Sequence, residues 1–198
     1  MRALRALDDQ ARASDGSFAR AVVLVEGLSD KAALEALAER RGRNLDTEGI
    51  SIVPMGGAQA IGGYLELFGP QGENVRLSGL CDAAEEDDFR RGLERAGFGS
   101  NLTRADMERL GFYVCVADLE DELVRALGPD PVERVIEAQG ELESFRTFQK
   151  QLEKRGLTRE EQLHGFMWNR KIRYAPLLVE ALDLTRVPRP LDGLLAHI

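Results

Sequence analysis

The sequence predicts an α/β protein: a mostly parallel four-stranded sheet flanked by helices, followed by a helical annex. Three observations predict it. Short apolar, β-branched runs recur near 21–25, 50–54, 75–81 and 112–116. Each is followed by glycine or an acidic residue and then by a stretch of helical periodicity, and beyond Pro129 no further run of strand character occurs. Strands that alternate with helices at this spacing build parallel sheets covered by helices. A chain of 198 residues, 43% of them hydrophobic, is long enough to bury the core such a fold needs.

Residues 1–14 read as a short polar helix or arm, and Ser14-Asp15-Gly16-Ser17 is a turn signal before the first apolar run. Ala21-Val22-Val23-Leu24-Val25 is the pattern of a strand buried on both faces. Ser29 or Asp30 can cap the next helix, which runs to about 41 with Ala33, Leu34, Leu37 and Ala38 as its apolar stripe. A second strand over 50–54 leads through a Gly56-Gly57 turn into a helix over 58–68, which Gly62-Gly63 weakens. A third strand over 75–81 precedes Asp82 and a helix through Phe89, Leu93 and Ala96, stopped at Gly97. A fourth over 112–116 leads to Asp118 and a helix through Leu123, Val124 and Leu127. Helices are expected over 132–139, 142–155, 158–168 and 172–184. Val187-Pro188-Arg189-Pro190 then reads as a rigid extended connection to a tail helix. The division expected is an arm over 1–20, an α/β domain over 21–128 and an annex over 129–198 packed on it.

With 26 basic against 34 acidic side chains the formal net charge is −8, the wrong sign for holding nucleic acid through a global field. Any such contact must be local. No apolar run approaches the roughly 18 residues that span a bilayer, and Asp8 and Asp9 stand where a signal peptide is apolar, so a cytoplasmic protein is expected. Cys81 and Cys115 show no metal-binding spacing and read as buried thiols.

Ligands of open parallel sheets bind beyond the carboxyl ends of the strands, and there this sequence repeatedly places acids. Glu26 follows the first strand, Asp82 the third, and Asp118, Glu120 and Asp121 the fourth. Each alone could be a helix cap, but carboxylates gathered on one rim repel unless a hard cation neutralises them, and an all-oxygen set suits Mg²⁺ or Mn²⁺.

Val23-Leu24-Val25-Glu26-Gly27-Leu28-Ser29-Asp30-Lys31 resembles the opening motif of Toprim domains, which occur in topoisomerases, primases, recombination proteins and OLD (overcoming lysogenisation defect) nucleases. Gly56-Gly57 after the second strand and Asp82 after the third extend the likeness over about 21–128, which implies a Toprim, Rossmann-like core. Within the superfamily the sequence is most similar to the OLD branch. Asp30 matches the second acid of the first motif, Asp118-Leu119-Glu120-Asp121 its acidic segment, and Arg170-Lys171-Ile172-Arg173-Tyr174-Ala175 its late basic motif. There is no room for a topoisomerase tyrosine domain or a primase zinc module, and two cysteines cannot form the four-cysteine zinc site of the recombination mediators.

The resemblance implies metal-dependent phosphodiester hydrolysis, with DNA as the expected substrate. Glu26, Asp30, Asp82 and Asp118 or Glu120 would hold one or two Mg²⁺ (or Mn²⁺) ions against the scissile phosphate. Lys171 would meet the charge that develops on the phosphate, and Gly27 would permit a tight turn beside it. Gly56 and Gly57 would lie along the nucleic acid, and Arg170 and Arg173, with Lys150, Lys154 and Arg155, would track its backbone without reading sequence. Two departures stand out. Alanine occupies position 84, where the Asp-x-Asp motif has its second acid, so that ligand is missing or supplied by Glu85 or Glu86; and no GxxxxGK[ST] loop occurs, so an ATPase partner would act from another chain. A homodimer formed through the annex is a further expectation. The competing reading is a catalytically impaired Toprim-like module that binds nucleic acid or protein. His164 and His197 read as surface or partly packed histidines, and Phe166 and Trp168 as annex core.

Overall fold

The computed structural model describes residues 19–198; the arm expected over 1–20 lies almost wholly outside them. Four strands form one parallel sheet: β1 (Ala21–Val25), β2 (Ile50–Pro54), β3 (Arg76–Cys81) and β4 (Phe112–Val114), in the order β2-β1-β3-β4. Ten α-helices are present among the described residues: α1 (Leu28–Arg40), α2 (Ile61–Phe68), α3 (Glu86–Arg95), α4 (Arg104–Arg109), α5 (Leu119–Leu127), α6 (Pro129–Ala138), α7 (Leu142–Gln149), α8 (Arg159–Met167), α9 (Lys171–Ala181) and α10 (Arg189–His197). The α/β class, the parallel sheet and the helical C-terminal part are those expected.

β1 is central because every one of its side chains is apolar and finds a core on its own side. Val22 and Leu24 join Val53, Leu65, Phe68, Phe89 and Phe112 under α2, α3 and α4. Ala21, Val23 and Val25 join Leu34, Leu37, Cys115, Leu123, Tyr174, Leu178 and Leu194 under α1 and the C-terminal helices. A period-2 backbone that is apolar on both phases can only be satisfied between two helical layers. The second of these cores runs without a break from α1 to α10, so the C-terminal helices complete one face of the sheet.

Arginines dock the C-terminal part. The Arg40 guanidinium donates to the carbonyls of Val179 and Leu182, both at 2.7 Å, and Arg76 donates to the His197 carbonyl at 2.9 Å. Cations at helix C-termini satisfy carbonyls that have no partner within the helix. Because the end of α1 binds the end of α9, the two helices run in the same direction, and both of their N-termini face the carboxyl edge of the sheet.

Several boundaries differ from expectation. The fourth strand stops at Val114 because the Val116 N–H is taken by the Glu122 carboxylate at 2.7 Å. The second expected helix opens as a 3-10 turn, Ala58–Ala60, and the one expected over 142–155 divides into α7 and a 3-10 turn, Leu152–Lys154. The connection expected to be extended over 187–190 is helical from Arg189, with Pro190 in the first turn, where its missing N–H costs no bond. α4 was not expected; the Thr103–Asp106 reciprocal cap that starts it is its sequence signal.

Gly79 on β3 has a strict size limit, since a Cβ there would lie 2.8 Å from the Leu24 carbonyl oxygen and 2.9 Å from the Phe112 ring. Gly79→Ala is expected to destabilise the protein by about 2–3 kcal/mol, a fall of roughly 5–10 °C in Tm on thermal denaturation. An unchanged Tm would show that β3 and β4 can separate freely.

Candidate metal and phosphodiester site

The strand order places the site. From β1 the chain moves outward to β2 on one side, while β3 and β4 lie on the other, so the carboxyl ends of β1 and β3 flank a topological switch point. Glu26 ends β1 and Asp82 ends β3, and the Glu26 Oε1 accepts the Asp82 backbone N–H at 2.8 Å. Glu85 comes from the 3-10 turn Ala83–Glu85 that follows. One carboxylate oxygen from each of Glu26, Asp82 and Glu85 lies within 4.8 Å of the others. Glu85 thus stands in the cluster from which Ala84 is missing, whereas Glu86 is committed to Arg104 at 2.5 Å. Glu26 and Glu85 of this cluster line a cleft of about 470 Å³, together with Asp88 and with Gly56 and Gly57. Their φ values of 75° and 129° suit glycine, and would-be Cβ atoms there meet nothing within 4 Å, so bare backbone faces the cleft.

A second group of charges lies alongside. Asp118 caps α5, its Oδ1 accepting the Asp121 N–H at 2.8 Å, and Glu120 follows in the first turn. Lys171, at the N-terminus of α9, places Nζ 3.1 Å from Asp118 Oδ2 and 2.8 Å from Glu120 Oε2. His164 on α8 brings Nε2 to 2.8 Å from the same Asp118 oxygen. Glu120 is only 2% exposed, and its Oε1 has no hydrogen-bond partner. Asp30 is buried between the groups, its Oδ2 accepting the Gly27 N–H at 2.8 Å.

The electrostatics follow from this crowding. Burial, then repulsion from Glu26, Asp30 and Asp118, pushes the Asp82 carboxyl up to about 8. Burial, opposed by the Gly27 N–H and reinforced by Glu120 and Glu26, pushes Asp30 up to about 7. Glu26 is raised as well, chiefly by burial. Asp118 goes the other way: burial works against its charge, but the His164 bond, the Asp121 N–H and Lys171 hold it well below the usual carboxylate range. His164 is raised by its bond to Asp118. Burial opposes the Lys171 charge, yet Glu120 and Asp118 hold it above its ordinary value. Carboxyls raised by burial and by their mutual repulsion, together with an orphaned buried carboxylate oxygen, fit an oxygen-ligated divalent cation.

The residues expected from sequence fall into three groups. Glu26 and Asp82 meet in the acidic cleft with Glu85. Asp118 and Glu120 meet each other through Lys171, with Asp30 between the two groups. Arg170 and Arg173 lie at the rim with Glu141 as partner, at 3.5 and 2.6 Å. Gly27 lies in the bend between β1 and α1 with extended dihedrals, φ −141° and ψ −178°, that do not require glycine, and it caps α1 with Asp30, not with Ser29. His164 is partly packed, as expected, and in addition it is bound to Asp118. Nothing in the local sequence of α8 signals a partner 46 residues earlier. Trp168 is 58% exposed rather than core, whereas Phe166 is buried as expected.

An acidic cleft at the switch point of a parallel β2-β1-β3-β4 sheet, with a lysine reaching in from a C-terminal helix, defines a Toprim-type α/β protein. Residues 18–83 match the family described as "Overcoming lysogenization defect protein-like, TOPRIM domain". The fold is similar to the C-terminal region of the Xanthomonas campestris pv. campestris OLD protein, with a TM-score of 0.72 and 26% identity over 91% of this chain and 92% of that one. It is also similar to the C-terminal region of the Burkholderia pseudomallei OLD protein, with a TM-score of 0.70 and 25% identity over 91% and 97% of the two chains. No curated protein matches the sequence. Residues 18–83 are thus similar to an OLD-like Toprim domain, and the fold as a whole to the C-terminal regions of OLD proteins. Among the described residues no helix is long and apolar enough to cross a membrane.

Proposed function

We propose that this protein hydrolyses phosphodiester bonds of nucleic acid, DNA in the first place, as an OLD-like endonuclease or nickase that uses Mg²⁺ or Mn²⁺. The observation that carries this reading is the convergence of Glu26, Asp82 and Glu85 oxygens within 4.8 Å at the switch point. The second acid of the Asp-x-Asp pattern is replaced by a neighbour rather than lost, which counts against a decayed, purely binding module.

A cation bound at these carboxylates supplies two things: neutralisation of phosphoryl charge and a more acidic attacking water. The remaining roles fall to the chain. Glu26 is oriented by the Asp82 N–H, which leaves its second oxygen for the cleft. The bare Gly56–Gly57 wall leaves space for a phosphate close to the backbone. Lys171 is held by Asp118, Glu120 and the Trp168 ring, with Nζ 4.4 Å from the ring centroid, and presents a fixed positive charge to the developing negative charge of the transition state. His164, locked on Asp118, keeps that carboxylate ionised and so positions Lys171. The N-termini of α1, α5 and α9 all face this edge, and their dipoles favour anions there.

On this reading residues 21–128 form the catalytic unit and 129–198 the annex that lends it Lys171. The setting is cytoplasmic, in keeping with two free, buried thiols. An ATPase working with this domain is the partner that the family likeness suggests.

The test is nicking of supercoiled plasmid with Mg²⁺, Mn²⁺ or EDTA by the wild type, Glu26→Ala and Asp82→Asn. Nicking that requires metal and disappears in both variants is expected. A folded wild type that cuts under no metal would leave the non-catalytic binding module.

A further inference from the structure

Next to the acidic cleft lies a groove of about 650 Å³ of a different character. Its apolar surface is Leu28, Trp168 and Ile172, which are 55%, 58% and 58% exposed; these are three of the six exposed large apolar side chains among the described residues. Its charged lining is Arg170, Lys171 and Arg173, and no acidic side chain lines it. Exposed aromatic and aliphatic surface is costly to keep in water, and a patch of it rimmed by one sign of charge marks a recognition surface. The indole is oriented on two sides, by the Lys171 ammonium over its ring and by the His164 ring edge-on at 6.0 Å between centroids.

We propose that this groove receives an unpaired base of the nucleic acid, stacked against Trp168 and flanked by Leu28 and Ile172, while the adjoining phosphate lies toward Lys171 and the acidic cleft. The inference rests on the nucleic-acid reading of that cleft. A partner that offers a flat apolar face and a negative charge one bond group apart is a nucleotide. A duplex hides its base faces, so the nucleotide must be single-stranded or turned out of its pair. Lys171 links the groove to the Asp118–Glu120 group beside the cleft, since it lines the groove while it bridges those two carboxylates. Glu141 holds Arg170 and Arg173 at the rim, which pre-orients both for a phosphate backbone.

Trp168 is the only tryptophan in the chain, so its emission reports on the groove directly. The experiment is a titration in EDTA, where no cleavage occurs, with a short single-stranded oligonucleotide, the same length of abasic strand, and a blunt duplex. The expected result is quenching and tight binding by the single strand, with little of either from the abasic strand or the duplex. Trp168→Ala, read by anisotropy of a labelled strand, should bind about 5- to 150-fold more weakly, and Trp168→Phe should retain most of the affinity. Ile172→Ser, which leaves the Lys171 ion pairs in place, should weaken the single strand and not the abasic one. Equal binding of abasic and normal strands with unchanged emission would overturn the proposal, as would quenching by an acidic peptide but by no oligonucleotide. The two readings fail separately. Quenching with no cleavage under any metal removes the hydrolytic reading alone, and cleavage that ignores Trp168→Ala and base content removes this one alone.

Discussion

Lys171→Met is expected to lower cleavage by about 10²- to 10³-fold and, separately, to destabilise the fold by about 3–5 kcal/mol. The two losses have different origins. The rate loss arises because a fixed cation that meets charge developing in the transition state acts without reorganisation, and no other cation lies within ion-pair distance of both Asp118 and Glu120 among the described residues. The stability loss arises because Lys171 compensates Glu120, which is 2% exposed and whose other oxygen is already without a partner. Removing one member of a buried pair leaves the other charge stranded. The double variant Lys171→Met/Glu120→Gln should therefore recover most of the lost Tm and none of the lost rate. Thermal denaturation and plasmid nicking on the same preparations check both. Full recovery of activity in the double variant would remove Lys171 from the chemistry, and an unchanged Tm in the single variant would mean that the pair is solvated.

The metal-free protein is expected to lose thermal stability as pH rises from about 5 to 8, and a divalent cation is expected to return it most strongly at the upper end. Asp30 and Asp82 have folded values of about 7 and 8 against an ordinary 3.8. Between 3.8 and those values the folded state binds protons that the unfolded state has released, so each increment of pH in that window favours unfolding. Above about 8 their contribution levels off. His164, raised by Asp118, contributes in the same sense, because its folded form keeps a proton beyond the pH at which the unfolded form loses it. Asp118, held low, is ionised in both states across this range and adds no slope.

Cation binding competes with those same protons, so its effect grows as they leave. At a hundred times Kd the gain is about 2.7 kcal/mol, a rise of roughly 5–10 °C in Tm. The shift produced by Mn²⁺ or Mg²⁺ should thus be larger at pH 8.5 than at pH 5.5. Asp82→Asn should flatten the metal-free pH profile and reduce the metal shift. Calorimetry in two buffers of different ionisation enthalpy should detect protons released on binding at pH 7. An equal metal shift at both pH values, or none, would contradict the assignment of these carboxyls as ligands.

Chain-local signals were sufficient for the sheet and for part of the cleft. An all-apolar β1 admits only a position between two helical layers, and acids immediately after β1 and β3 must emerge on one edge of a parallel sheet. Glu26, Asp82, Asp118 and Glu120 were legible as site candidates because they follow strands, whereas Lys171, within the late basic motif, was legible only through its likeness to the OLD branch. The details that depend on neighbours distant in sequence were not legible. Which acid takes the place left by Ala84 depends on a 3-10 turn that directs Glu85 into the cleft and Glu86 to Arg104. His164 acquires a partner only because α8 packs beside α5, and Trp168 is left outside the core because the helix breaks there before α9 begins. Local sequence determines which side chains reach the carboxyl edge, because period and polarity act over a few residues. Only tertiary packing, through burial, shared ion pairs and the parallel docking of α1 and α9, decides which of them meet and which of them hold charge.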